Sequence, residues 1–216
     1  MTKTLENKIK GNFSIITDFG CPFTCGFCIT GSQNTKKSFS FTEDTFFNIS
    51  KALKMAPYTR ISISGGGEPL FVHNDEIKAF YERLFTFTDL DIHVHTNLMS
   101  PNSIAHRFSK VTISINENNF IKKFQNWKEI KNKRFVHVST AEDLSVIRTM
   151  INMLEPGAEL TIKQMDGFDN DLYIDIKKYI NQFKNVMFLG EGDYNTYYVL
   201  NENKVYDKFK DISFEK

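Results

Sequence analysis

The sequence predicts an α/β fold, a partial (β/α)6 barrel of the TIM type that carries a short aromatic-rich C-terminal extension. Three observations lead there. Short β-branched or aromatic runs alternate with longer amphipathic stretches, the pattern of repeated βα units around a parallel sheet. These repeats number about six, whereas a closed eight-fold barrel needs about 250 residues, so an open barrel that admits substrate sideways is the economical reading. A chain of 216 residues, 41% hydrophobic and 14% aromatic, can bury a sizeable core as one globular domain.

The predicted strands are residues 13–17, 60–64, 91–96, 111–115, 134–139 and 159–164. Between and after them, residues 42–55, 75–86, 101–108, 118–131, 141–154 and 170–182 read as helices. Thr42 supplies an N-cap before the acidic Glu43 and Asp44, and Pro57 ends the same helix. No Pro-, Gly- or Ser-rich linker, low-complexity segment or internal repeat interrupts the pattern. Residues 1–190 are therefore expected to form the core domain, with 191–216 packed on it as an extension. That tail sets Tyr194, Tyr197, Tyr198, Tyr206, Phe209 and Phe214 among charged residues. A packed edge strand or hairpin is its first reading, ahead of a cover over the barrel opening or a homodimer contact, because aromatics bury large areas in any core.

Lys and Arg number 27 against 26 Asp and Glu, a formal charge of +1. No global field therefore argues for nucleic acid, a membrane surface or an acidic partner. The first 11 residues are polar and lack the apolar core of a signal peptide, and no apolar run is long enough to span a bilayer. All three cysteines fall within eight residues, which makes a disulfide scaffold implausible and a reducing, cytoplasmic setting the expectation.

Those cysteines, Cys21, Cys25 and Cys28, follow the first predicted strand directly, on the loop where barrel active sites are built. Spacings of three and two intervening residues let one short loop wrap three corners of an iron-sulfide cube, and thiolate is the ligand such clusters use. Gly20 and Gly26 permit the turns. A 4Fe-4S cube has four irons and the chain has only three cysteines, so one iron is left to chelate a small molecule. The alternatives are three buried apolar cysteines, or a zinc site completed by His73, His93 or His95. A hydrophilic, glycine-containing loop does not resemble core, and zinc sites usually come as two separated ligand pairs.

The second predicted strand runs into Gly65, Gly66, Gly67, Glu68 and Pro69. Consecutive glycines allow a ligand close to the backbone, Glu68 can offer a carboxylate to an ammonium, and Pro69 stops the strand from continuing. Alone, three glycines are most often just a turn; two such loops on adjacent strands carry more weight.

The Cys21, Cys25 and Cys28 pattern, Phe27 before the last cysteine, and the downstream Gly66-Gly67-Glu68-Pro69 resemble the radical S-adenosylmethionine (radical SAM) superfamily. The motifs span the first 70 residues and the βα order extends to about Gln164, leaving the aromatic tail outside. The resemblance implies that the three cysteines hold a 4Fe-4S cluster whose fourth iron takes the amino and carboxylate groups of S-adenosylmethionine. It implies that Gly66, Gly67 and Glu68 hold the methionine amino group. Later strand ends would contact ribose, carboxylate and adenine, with Thr96, Asn97, Ser114, His137, Ser139 and Lys163 as the polar candidates. Each has a bland alternative as a hydrogen-bonded structural group. Lys163 stands above the rest because an unpaired ammonium in an apolar strand is costly, so it should face cofactor, substrate or a carboxylate.

The implied chemistry is reductive cleavage of S-adenosylmethionine to methionine and a 5'-deoxyadenosyl radical, which takes hydrogen from a small-molecule substrate. A flavodoxin or ferredoxin would deliver the electron. A weaker similarity to 7-carboxy-7-deazaguanine synthases suggests a nucleobase-like substrate, and Thr30, two places after the last cysteine, would there meet a magnesium ion. The ordinary cysteine spacing and Ile29 depart from that group. An activase that installs a glycyl radical in a partner protein is a second enzymatic reading. A non-catalytic iron-sulfur or zinc module is the third, against which the glycine-glutamate loop speaks.

Overall fold

The structure, a computed structural model, describes residues 11–17, 19–23, 25, 41–140, 142–165, 170–190, 196–200 and 204–206. In chain order the elements are β1 (Asn12–Ile16), α1 (Glu43–Leu53), β2 (Arg60–Ile63), α2 (Asp75–Phe87), β3 (Asp91–Thr96), β4 (Lys110–Ile115), α3 (Phe120–Asn126), β5 (Lys133–Ser139), α4 (Leu144–Met153), β6 (Glu159–Gln164), α5 (Ile174–Ile180), β7 (Val186–Leu189), β8 (Thr196–Val199) and β9 (Lys204–Tyr206). Strands alternate with helices and pair in parallel up to β8, which makes the fold an open, mostly parallel α/β sheet as predicted. The chain divides into two compact units, Met1–His95 with Asp193–Lys216, and Thr96–Gly192.

In the first unit the strand order is β3-β2-β1-β8-β9, with only β9 antiparallel to its neighbour. Level residues on parallel strands share a face, so the registers put Phe13, Ile15, Ile61, Ile63, Ile92 and Val94 together. All six are buried, each contributing about 1.5–3 kcal/mol. The capped, acidic starts of the two helices come from local sequence: the Thr45 hydroxyl accepts from Thr42 N (3.0 Å) and the Asn74 side chain from Ile77 N (2.8 Å). Helix α1 buries Phe46, Ile49 and Ala52, and α2 buries Ile77, Phe80, Tyr81 and Leu84. The opposite face of β1 and β2 is polar yet satisfied. Asn12 Nδ2 donates to Ser14 Oγ (2.9 Å), while Asn12 Oδ1 accepts from Ser62 Oγ (2.6 Å) and Arg60 Nε (3.2 Å).

In the second unit β7-β6-β5-β4 are all parallel. One face meets helices, where Phe135 packs on Phe124 (ring centroids 4.5 Å) and Phe188 on Tyr173 (5.4 Å). The other carries Ser114, Arg134, Val136, Val138, Glu159, Thr161 and Lys163. There Glu159 Oε2 accepts from Arg134 Nε (2.7 Å) and pairs with Lys110 Nζ (2.7 Å). Burial works to raise the Glu159 carboxyl, but the hydrogen bond from Lys110 and the charge of Arg134 outweigh it and hold the group below its ordinary value.

All six predicted strands are present with boundaries within one residue. The helices differ more. Residues 101–108 form a 3-10 turn, Ser103–Arg107, whose start is capped by Asn102. The predicted 118–131 contracts to α3, and 170–182 divides into a 3-10 turn, Asn170–Tyr173, and α5. The predicted 141–154 opens three residues late, because the Asp143 carboxylate accepts from Thr140 N (2.7 Å) and Thr140 Oγ1 (2.9 Å) and sets the turn there. Strand β7 was not predicted at all: four apolar residues after a helix look the same as its continuation. The described part of the tail is an edge hairpin in which Tyr197, Val199 and Tyr206 pack with Ile16, as its first reading has it. Tyr194, Phe209 and Phe214 lie outside the described residues. Among the described residues no helix is long and apolar enough to cross a membrane.

Candidate functional site

The C-terminal ends of β1 and β2 stay bonded beyond the strands. Phe19 N donates to Gly66 O (2.9 Å) and Glu68 N to Gly20 O (2.8 Å), and Gly20 and Gly67 form a parallel bridge. Gly20, Gly65, Gly66 and Gly67 all have positive φ, and a Cβ on Gly67 would lie 2.5 Å from the Gly20 carbonyl oxygen. Only glycine permits so close a contact. The loop bearing Cys21 and Cys25 thus starts fastened to the glycine loop. Cys21 is exposed and Cys25 half-buried, so neither is core packing, and accessible thiols at a fixed loop base fit the donor set of an iron-sulfur cluster. Cys28, with Phe27 and Thr30, lies outside the described residues.

Beside this base stands His73, one of the three histidines weighed as zinc ligands. Its Nδ1 lies 3.0 Å from Phe71 O and its Nε2 3.5 Å from Asn74 Nδ2, with the ring stacked on Phe71 (4.7 Å). Both nitrogens therefore have neighbours within the loop. His93 and His95 sit on β3.

Glu68 is only 2% exposed, and its Oε1 accepts from Leu70 N (3.0 Å). The carboxylate braces its own turn. Tyr81, reaching from α2, donates to Pro69 O (2.7 Å). Burial, and then the negative charge of Glu68, push its hydroxyl well above the ordinary tyrosine value, so it stays a donor.

In the second unit the six polar candidates separate. Thr96 is buried, and its hydroxyl accepts from Leu98 N (3.0 Å). Asn97 and Ser114 are drawn together by Lys123 of α3, whose Nζ lies 2.8 Å from Asn97 O, 2.7 Å from Asn97 Oδ1 and 2.7 Å from Ser114 O. Lys123 is 1% exposed. Sequence reading missed it, since a lysine in Ile-Lys-Lys-Phe looks like a solvated helix face; its only signal is a position three residues after Phe120 and four before Trp127. Lys163 is half-buried on the face of β6 that also carries Thr161. On that face Thr161, also buried, has a hydroxyl with no hydrogen-bond partner among the described residues.

His137 and Ser139 leave β5 on the face opposite to that of Val138. The register sets Val138, not its neighbours, level with Lys163, and strand alternation turns His137 and Ser139 to the helix side. His137 Nε2 lies 3.2 Å from Asp143 Oδ2 and Nδ1 3.4 Å from Ile115 O. The Ser139 hydroxyl donates to Thr140 O (2.6 Å). Both are buried and tie β5 to the turn before α4.

A family model described as the Radical SAM superfamily matches residues 15–139. Among solved structures, Streptococcus suis SuiB bound to S-adenosylmethionine is similar at 14% identity and a TM-score of 0.65, over 96% of this chain and 63% of SuiB. SuiB bound to the precursor peptide SuiA is similar at 12% identity and a TM-score of 0.64, over 95% of this chain and 62% of that one. The chain thus spans less than two thirds of SuiB's length. A search of curated proteins finds no match.

Proposed function

Because the chain belongs to the radical SAM superfamily, we propose that it binds S-adenosylmethionine at a 4Fe-4S cluster held by Cys21, Cys25 and Cys28, and removes a hydrogen atom from a small substrate. The observation that carries this reading is the bonded pair of loops, cysteine-bearing and glycine-bearing, joined at Gly20 and Gly67. When bound, the cluster and its ligand supply reductive cleavage to methionine and a 5'-deoxyadenosyl radical.

The chain's own residues bind and orient. Gly65 to Gly67 let the methionine amino group reach the backbone, and the buried Glu68 sets the turn and lends negative potential to an ammonium beside it. Asn97 and Ser114 are the groups for ribose, carboxylate or adenine, with Thr96 shaping the turn that presents Asn97. Lys163 points its cation at an anionic part of cofactor or substrate, and the orphaned Thr161 hydroxyl lies on the same side. His137 and Ser139 act behind the sheet. A nucleobase-like substrate, and a flavodoxin or ferredoxin as electron donor, complete the reading. The likeness to SuiB, at 12–14% identity, speaks to the fold, so its peptide ligand is not carried over.

The test is anaerobic reconstitution with iron and sulfide, then dithionite and S-adenosylmethionine, with 5'-deoxyadenosine and methionine read by mass spectrometry. Both products are expected from the wild type, and Cys25→Ala should lose cluster and products together. An intact cluster with undiminished turnover in that variant would sink the proposal.

A further inference from the structure

We infer that Tyr81 is a positioning residue: from α2 it fixes both the glycine loop and the root of the cysteine loop, and so sets where S-adenosylmethionine meets the cluster. The inference rests on the proposed use of that cofactor, and every residue it needs lies in the first compact unit. Glu68 O accepts from Phe71 N (2.9 Å), which closes a β-turn with Pro69 and Leu70 at its centre. The peptide between those two residues is held at both ends. Its N–H, on Leu70, donates to Glu68 Oε1 (3.0 Å), and its carbonyl, on Pro69, accepts from the Tyr81 hydroxyl (2.7 Å). Turns of this kind change type by rotating the central peptide, and a rotation here would carry the Leu70 N–H away from Glu68. Tyr81 makes it costly, because Pro69 is buried and its carbonyl would give up a hydrogen bond away from bulk water. The turn that follows Gly65 to Gly67 is thereby locked from outside the loop.

The ring of Tyr81 has a second task. It lies flat against the ring of Phe19, with centroids 5.8 Å apart and planes 7° apart, and both side chains are fully buried. Phe19 stands two residues before Cys21, and its N–H donates to Gly66 O (2.9 Å). One side chain thus touches the chain on both sides of the bridge between Gly20 and Gly67, with its ring on the cysteine side and its hydroxyl on the glycine side. Helix α2, whose start is fixed by the Asn74 cap, is the frame against which both loops are set. A small shift of either loop would misplace the methionine end of the cofactor against the cluster. The hydroxyl can be removed without the ring, so the two tasks are separable.

The test uses the reconstituted full chain and reads iron content, the dissociation constant for S-adenosylmethionine, and amide hydrogen exchange. Tyr81→Phe keeps the ring and loses the hydroxyl. Its iron content should match wild type, its affinity should fall about fivefold, and its Glu68 and Leu70 amides should exchange faster. Tyr81→Leu also removes the stack and should lose iron as well; should it fail to fold, Phe19→Leu removes the stack from the other side. Leu84→Val, a buried change one turn further along α2 and farther from the glycine loop, is the control. It should melt lower yet keep wild-type affinity. Either wild-type affinity or wild-type exchange in Tyr81→Phe overturns the role of the hydroxyl, and full iron content without the stack overturns that of the ring. Equal weakening by Leu84→Val shows that Tyr81 acts through general stability and overturns the positioning role. A wild-type chain that binds no S-adenosylmethionine overturns the proposed function itself, and the exchange comparison then still decides whether Tyr81 holds the turn.

Discussion

At the ends of β1 and β2 the candidate residues are set by main chain, whereas at the ends of β4 to β6 they are set by the side of the strand from which each side chain leaves. Glycines with positive φ and a carbonyl 2.5 Å from a missing Cβ define the first region. Paired registers and a buried ammonium define the second. The first tolerates almost no added atom. The second tolerates substitution on one face and punishes it on the other, so errors there should be graded.

The largest effect is expected at Gly67. Alanine there is strained by about 1–3 kcal/mol for its backbone alone and must also push the Gly20 carbonyl away, which shifts the cysteine loop. Turnover of S-adenosylmethionine should fall by about a hundredfold, the scale of an ångström-sized misplacement, and melting should show the strain. Alanine with wild-type turnover would mean that the loops need not touch.

A middle-sized contrast pits Lys163 against His137. Lys163→Met should raise KM for S-adenosylmethionine or for the substrate roughly tenfold with little change in melting. His137→Asn should do the reverse, losing about 1–2 kcal/mol of stability through its broken helix-side contacts and leaving KM unchanged. If the two variants exchange these signatures, the assignment of faces is wrong.

The smallest effect separates the neutral network of the first unit from the ionic cluster of the second. Asn12, Ser14 and Ser62 do not titrate. Glu159 does, and its carboxyl is held below the ordinary value in the folded protein. Its stabilising contribution is thus present above the unfolded-state value of 4.5 and disappears as pH falls through the lower folded value. Glu159→Gln should flatten the acid side of a melting-against-pH curve while leaving its shape near neutrality. An unchanged acid limb would show that other carboxylates govern it.

What was readable in the sequence follows the same division. The cysteine and glycine loops announce themselves because glycine and cysteine at fixed spacing restrict local backbone and chemistry regardless of context. The parity of β5 does not. In Lys133-Arg-Phe-Val-His-Val-Ser139 both faces mix apolar with polar residues, and only the register against β4 and β6 tells which side meets helices. Lys123 was illegible for a related reason: a helix lysine is solvated by default, and the carbonyls that make its burial tolerable come from residues 9 and 26 positions away in the chain. Strand β7 was lost to its brevity.

The pairing of β8 with β1 also bears on how the chain is made. Phe13 to Ile16 lie level with Thr196 to Val199, so one flank of β1 waits for residues synthesised far later. Residues 96–192 meet no such delay, because their strands pair among themselves. During synthesis this inserted half can consolidate first, while the half that carries the cysteines keeps an unpaired strand edge exposed to other chains and to chaperones until the tail arrives.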